Sequence, residues 1–311
     1  MNTTIQNATR SGVFNRTQKL IGALTVGALF VIPVLSPGAA KAALVTDLPV
    51  MSALTPFATF GNVYSDSAVT INGNVGISAN GTLLLASPST INGNLYLANG
   101  ATATIKGSGT VTGTTFTGQN LTAAQNQVFS ASTTLQNLTP DQSLGAVVVP
   151  GTGVTYGSVN GVADVTVINM TSLTTGGGDI TFVGDAGDYF VLNIAGDLSM
   201  TGSAAIIGLS GHLLVNLWDP LGKNQGTVAH VGNVINGTTL IPYDSATFHS
   251  VDGAIYSGYG DITLMSDATV NYQPYVQPTP VPEPGTFIAG ALLLLPFGAS
   301  TLRILRRQAT G

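Results

Sequence analysis

Short runs of alternating apolar and polar residues cover most of the chain, and one of them repeats. Thr70-Ile71-Asn72-Gly73-Asn74 recurs as Thr90-Ile91-Asn92-Gly93-Asn94, 20 residues later. Val75 and Ile77 follow the first copy at two-residue spacing, and Leu95 and Leu97 follow the second. Alternation places successive side chains on opposite faces of a strand, so each run predicts a strand with one apolar side. Asn-Gly pairs at 72, 80, 92, 99, 160 and 236 mark turns, because both residues tolerate positive φ. The alternation continues through Thr-rich residues 101–117 and then changes period. Leu121, Ala124, Val128, Leu135 and Leu138 fall at helical spacing, and Thr122 with Gln125 has the form of a capping box, predicting one helix over 122–137. Strands resume near Val147 and run to Tyr272, notably over 188–194, 213–218 and 260–264.

A fixed 20-residue offset with identical turn residues is the signature of a stacked rung. A β-sandwich also alternates and turns on Asn-Gly, but it does not require a constant period. The expected fold is therefore mostly β: a right-handed β-solenoid over residues 43–272 with one flanking helix lying along it.

Composition sharpens this expectation. Charged residues make up 7% of the 311, apolar residues 44%, and Gly accounts for 39. Disorder goes with low hydrophobicity and high charge, and helical surfaces are normally built from Glu, Lys and Arg, so both are disfavoured. The absence of cysteine excludes disulfides and cysteine chemistry. Between residues 43 and 280 only Lys106 and Lys223 are basic, and against thirteen Asp they leave a formal charge of −11. Such a surface repels phosphate backbones, so nucleic acid is not an expected partner.

The remaining basic residues lie at the ends. Arg10, Arg16 and Lys19 precede an apolar run from Leu20 to Leu35, and Ala40-Lys41-Ala42 offers a small-residue cleavage site. Residues 1–42 thus read as a secretory signal peptide cut after Ala42. At the other end, 273–281 is a Pro-rich linker, and an uncharged apolar stretch from Thr286 to Leu302 runs into Arg303, Arg306 and Arg307. That stretch is just long enough to cross a bilayer, and the arginines would hold its end in the cytoplasm. The motif Pro282-Glu283-Pro284, the apolar helix and the basic stop together resemble the PEP-CTERM sorting tail, here over 282–311. The resemblance implies an exosortase as partner, transient membrane anchoring through the tail, and delivery of the body to the cell surface or outside the cell.

The body resembles the choice-of-anchor A and ice-binding-like β-solenoid families. The matching stretches are Tyr189 to Gly196, Gly211 to Trp218, and Ile235 to Ile241 followed by Asp252-Gly253-Ala254-Ile255-Tyr256. The resemblance implies a solenoid with one flanking helix, and fold alone does not fix function.

Candidate chemistry is sparse. His212, His230 and His249 lack zinc-ligand spacing, and no nucleophile elbow or phosphate-binding glycine loop occurs. Parallel β-helices host polysaccharide lyases and glycosidases, and the Asp residues offer carboxylate pairs. A body without Arg or Glu is poorly equipped for anionic sugars. No catalytic residue and no cofactor is therefore expected. Asp179, Asp185 and Asp188, near Gly176-Gly177-Gly178, are weak calcium candidates. The expected role is non-catalytic: a structural or adhesive component of exopolysaccharide matrix or biofilm, with late-chain tyrosines available to stack on sugar rings. The alternative is ice binding through Thr rows on a flat face, for which the candidates are Thr102, Thr104, Thr110, Thr112 and Thr114.

Overall fold

The computed structural model describes residues 47–277, apart from residues 162, 210 and 219–227. The signal peptide with Ala40 and Ala42, the sorting motif Pro282-Glu283-Pro284 and the stop Arg303, Arg306 and Arg307 all lie outside the described residues. So do the two apolar runs expected to form an N-terminal signal helix and a C-terminal transmembrane helix.

The described chain is the expected β-solenoid with one flanking helix. All strand pairs are parallel, which excludes the antiparallel hairpins of a sandwich. The 20-residue offset is the register itself: Thr70 pairs with Thr90 and Thr90 with Thr110, while Ile71 pairs with Ile91 and Ile91 with Val111. Each rung turns three corners, so the stack has three faces. Their inward residues stack into one continuous core that includes Ile71, Ile91, Leu83, Val63, Ile262, Val251 and Ile180.

Rung order is not chain order. Residues 57–119 form the rungs of one half. Helix α1 (Thr122–Gln136) then runs along the stack to the other half, which is laid down from Gln142–Val149 back toward the first rungs. The last strand, Ser245–Tyr272, closes the gap. It pairs with Val228–Ile241 on one side, and with Phe57–Ser65 and Thr70–Asn72 on the other.

At the first half's end the core thins deliberately. Leu83 is followed in register by Ala103, and Leu95 by Thr115. The terminal rung is thus polar and exposed, as a solenoid cap must be.

Helix α1 covers the middle of one face, whose end strand Thr115–Gln119 is exposed. Strands there are apolar on both sides: Tyr189–Ile194 and Leu213–Leu217 are buried at every position. A continuous apolar run is how a strand covered on both faces reads. Ala124, Val128, Ala131 and Leu135 form the facing stripe on α1 and pack with Val167, Val191, Leu214 and Leu240. Within this apolar layer runs an asparagine ladder. Asn216 Nδ2 donates to Asn193 Oδ1 (2.9 Å), and Asn193 Nδ2 to Asn169 Oδ1 (3.0 Å). The helix closes it, since Ser132 Oγ donates to Asn216 Oδ1 (2.7 Å) and Asn193 Nδ2 also donates to the Leu135 carbonyl (2.8 Å).

The expected capping box is not formed. The N-cap is Leu121, without a side-chain cap bond, and Asn120 Oδ1 instead accepts from the Thr122 N–H (3.2 Å). Gln125 has been drawn to tertiary work: its Nε2 donates to the Gly258 carbonyl (3.0 Å) at a solenoid corner. Residues 273–276, within the span read as linker, lie on the body. Val276 N–H donates to the Gly211 carbonyl (2.9 Å), and Tyr275 is buried against Tyr189.

Candidate functional site: an open hydroxyl face

With one face covered, two remain open, and one of these is a regular sheet along the whole stack. Its strand segments are residues 146–149, 173–176, 198–201, 228–231, 245–248, 261–264, 62–65, 82–85 and 102–105. They pair in parallel without a bulge within the face. The one junction internal to a single strand is marked by the Asp261 N–H donating to Ser245 Oγ (3.0 Å). Neighbouring strands sit about 4.8 Å apart, and same-side residues along a strand about 6.7 Å apart.

The local sequence explains why this face is both regular and polar. Each segment carries an inward apolar residue between two outward ones: Ser172-Leu173-Thr174, Asp197-Leu198-Ser199, Ser245-Ala246-Thr247, Asp261-Ile262-Thr263, Thr82-Leu83-Leu84 and Thr102-Ala103-Thr104. Leu173, Leu198, Ile262 and Leu83 are fully buried, which anchors each strand and fixes which side its neighbours present. Two outward columns result. Thr174, Ser199, Thr247, Thr263, Tyr64, Leu84 and Thr104 occupy one; Ser172, Asp197, Ser245, Asp261, Asn62, Thr82 and Thr102 the other. β-branched Thr has restricted χ1, so its methyl and hydroxyl are held in place before any ligand arrives. At the far end the face turns apolar, with Val148 74% exposed.

The third face is shorter-stranded and carries the Thr-Ile-Asn repeat. Thr269, Thr70, Thr90 and Thr110 stack in register there.

The sequence-derived threonines divide among these surfaces. Thr102 and Thr104 stand on the hydroxyl face and are exposed. Thr110 and Thr112 belong to the Thr-Ile-Asn face, because the corner at residues 106–109 turns the chain between them. Thr114 sits at the next corner, where its N–H donates to Asn94 Oδ1 (2.9 Å). Ser172, Thr174, Ser245, Thr247 and Thr263 were not singled out in the sequence. The signal that would have found them is the triplet with outward polar residues around one apolar residue.

The aspartates proposed for calcium serve as turn acceptors. Asp185 Oδ2 accepts from the N–H groups of Asn160 (2.9 Å) and Gly161 (2.7 Å). Asp188 accepts from Asp164 N–H (2.9 Å) and Asp185 N–H (2.7 Å). Asp179 lies apart, accepting from the Ala205 N–H (2.9 Å). No group of three metal-binding side chains occurs among the described residues. No described helix is long and apolar enough to cross a membrane.

Fold and open face together define a helix-flanked β-solenoid with a long in-register array rich in hydroxyls. No protein-family model and no curated protein sequence matches the chain. Solved structures do. One is an ice-binding protein from an Antarctic biological consortium, with 21% identity and a TM-score of 0.50, covering 71% of this chain and 89% of that one. Another is the ice-binding protein of the Antarctic ascomycete Antarctomyces psychrotrophicus, with 20% identity, a TM-score of 0.47 and coverage of 72% and 98%. A third is an ice-binding protein from an Arctic yeast, with 20% identity, a TM-score of 0.45 and coverage of 76% and 98%. The likeness to the first is one of fold, the ice-binding-like solenoid expected of the body.

These findings correct the matrix or adhesive role expected from the sequence. The solved structures that share the solenoid are described as ice-binding proteins, not adhesins. Of the tyrosines expected to stack on sugars, Tyr243, Tyr256, Tyr259, Tyr272 and Tyr275, Tyr259 is 64% exposed beside Phe129 and Tyr243, and three others are part of the packing. Tyr256 is 1% exposed with its hydroxyl donating to the Phe57 carbonyl (3.0 Å), Tyr275 is 5% exposed, and Tyr272 donates to the Thr55 carbonyl.

Proposed function

We propose that this protein binds ice through the hydroxyl face. The observation that carries the proposal is the in-register sheet of nine segments, six of which present outward Thr or Ser: Ser172 and Thr174, Ser199, Ser245 and Thr247, Thr263, Thr82, and Thr102 and Thr104. Water bound to such an array is ordered by fixed hydroxyls and rests on fixed methyls, so little ordering remains to be done when the face meets a lattice. Repeats of about 4.8 and 6.7 Å lie near the oxygen repeats of hexagonal ice. Of the outward residues named on this face only Asp197 and Asp261 are charged, which suits the reading, because strongly hydrated charges hold water in shells unlike a lattice. The shared fold with a solved ice-binding protein supports it, and that description is not of an enzyme, in keeping with a non-catalytic role.

The chain's route to ice is part of the same proposal. The signal peptide would export it, and the PEP-CTERM-like tail would hold it at the cell exterior before processing. Unchanged processing and localisation of a Glu283→Ala variant would count against that tail assignment.

Ice recrystallisation inhibition and thermal hysteresis test the binding function directly. The full chain should be active, and Thr247→Tyr with Thr104→Tyr should remove most of the activity without changing the far-ultraviolet circular dichroism. An inactive but folded wild-type chain would overturn the proposal.

A further inference from the structure

The Thr-Ile-Asn face holds a second ordered array, built differently from the first. Thr269, Thr70, Thr90 and Thr110 form one column in register. Beside it runs a hydrogen-bonded ladder. Asn92 Nδ2 donates to Asn72 Oδ1 (2.8 Å), Asn72 Nδ2 to Asn271 Oδ1 (2.7 Å), and Asn271 Nδ2 to Asp252 Oδ1 (2.7 Å). Each ladder bond uses one proton of the amide and one lone pair of the carbonyl, leaving one donor and one acceptor per Asn. Bonding along the ladder fixes those leftover groups at rung spacing, so the array is rigid before it meets a ligand.

This array cannot share a plane with the hydroxyl face. A full corner separates them, residues 86–89 in one rung and 106–109 in the next, where the Ser108 N–H donates to Ser87 Oγ (3.2 Å). Two arrays of different side-chain chemistry on differently oriented faces would present different surfaces to one crystal. We propose that the threonine–asparagine face is a second ice-binding surface, and that it engages a different set of ice planes from the hydroxyl face. This inference rests on the reading that the hydroxyl face binds ice.

The test is to grow a single-crystal ice hemisphere in the presence of fluorescently labelled full chain and map the planes that become labelled. Two sets of planes are expected. Thr70→Tyr with Thr90→Tyr should erase one set and leave the other, while Thr247→Tyr with Thr104→Tyr should do the converse. Thr90→Val, which keeps shape and removes only the hydroxyl, should weaken the same set as Thr90→Tyr and guards against a folding artefact. One set of planes, untouched by substitutions at Thr70 and Thr90, would overturn the second surface and leave the first standing. A wild-type chain that labels no plane would remove both.

Discussion

The helix-covered face and the hydroxyl face are sheets of the same solenoid, stacked on the same core, and they treat polar groups in opposite ways. Under α1, the ladder Asn169–Asn193–Asn216 is closed off by Ser132 and the Leu135 carbonyl, in an apolar layer that excludes water. On the hydroxyl face, Thr and Ser columns have no described element over them. Buried, an ordered polar row is a structural joint, because an unmet donor there costs a desolvation penalty. Exposed, the same regularity is available to a ligand with a matching repeat. What distinguishes scaffold from site here is cover rather than residue type.

Substitutions can break that comparison, and the largest expected stability effect lies under the helix. Leu135→Ala should cost about 3 kcal/mol, from lost burial plus a cavity the rigid rungs cannot close. Denaturant unfolding would show it as a shifted midpoint. Asn193→Ala should cost about 2 kcal/mol, since Asn169, Asn216 and the Leu135 carbonyl each lose a partner. A loss below the error of the measurement would show that the ladder is incidental.

High pH probes the aromatic packing at a smaller cost. Burial raises the phenol pKa of Tyr256, and burial with the neighbouring Tyr189 raises that of Tyr275, both above the ordinary 10.0. Below that pH both states hold the proton and stability is unaffected. Above it the unfolded phenols ionise first, so stability is lost as pH rises toward the folded-state values. The Tm should therefore be level from neutral pH up to about 10 and fall beyond it. Smallest of all, Thr174→Val on the hydroxyl face should move stability by no more than about 0.5 kcal/mol. Its measurable consequence should be weaker ice recrystallisation inhibition, so that activity and stability separate on this face and not under the helix.

Much of the fold could be read from local pattern. The offset between Thr70 and Thr90 was the rung register, and the spacing of Ala124, Val128 and Leu135 was the helix's buried stripe. The runs read as strands over 188–194 and 213–218 are strands over 189–194 and 213–217, and α1 covers them. The site was harder, because a face is assembled from residues far apart in sequence. Thr102 and Thr110 are eight positions apart yet look in different directions, since a glycine-containing corner intervenes. Gly107 there adopts φ +60, which a residue with a side chain disfavours. Conversely, Thr269 stacks on Thr70 across most of the chain, and nothing local to either announces it. The capping box failed for a related reason: Gln125 had a better partner in the carbonyl of Gly258, invisible from its own neighbourhood.

The late strand between the two halves also governs when the molecule can exist. Among the described residues, the strands of 57–119 and those of 142–241 are joined by strand pairing through Ser245–Tyr272, the last described strand to be synthesised. A solenoid stacked in chain order can propagate rung by rung as it emerges. This one cannot complete its core until nearly the whole body is available, and its closing contacts are of high sequence separation and so slow to form. The two halves are thereby left open during synthesis and locked by the final strand, as an arch stands only when the keystone is set.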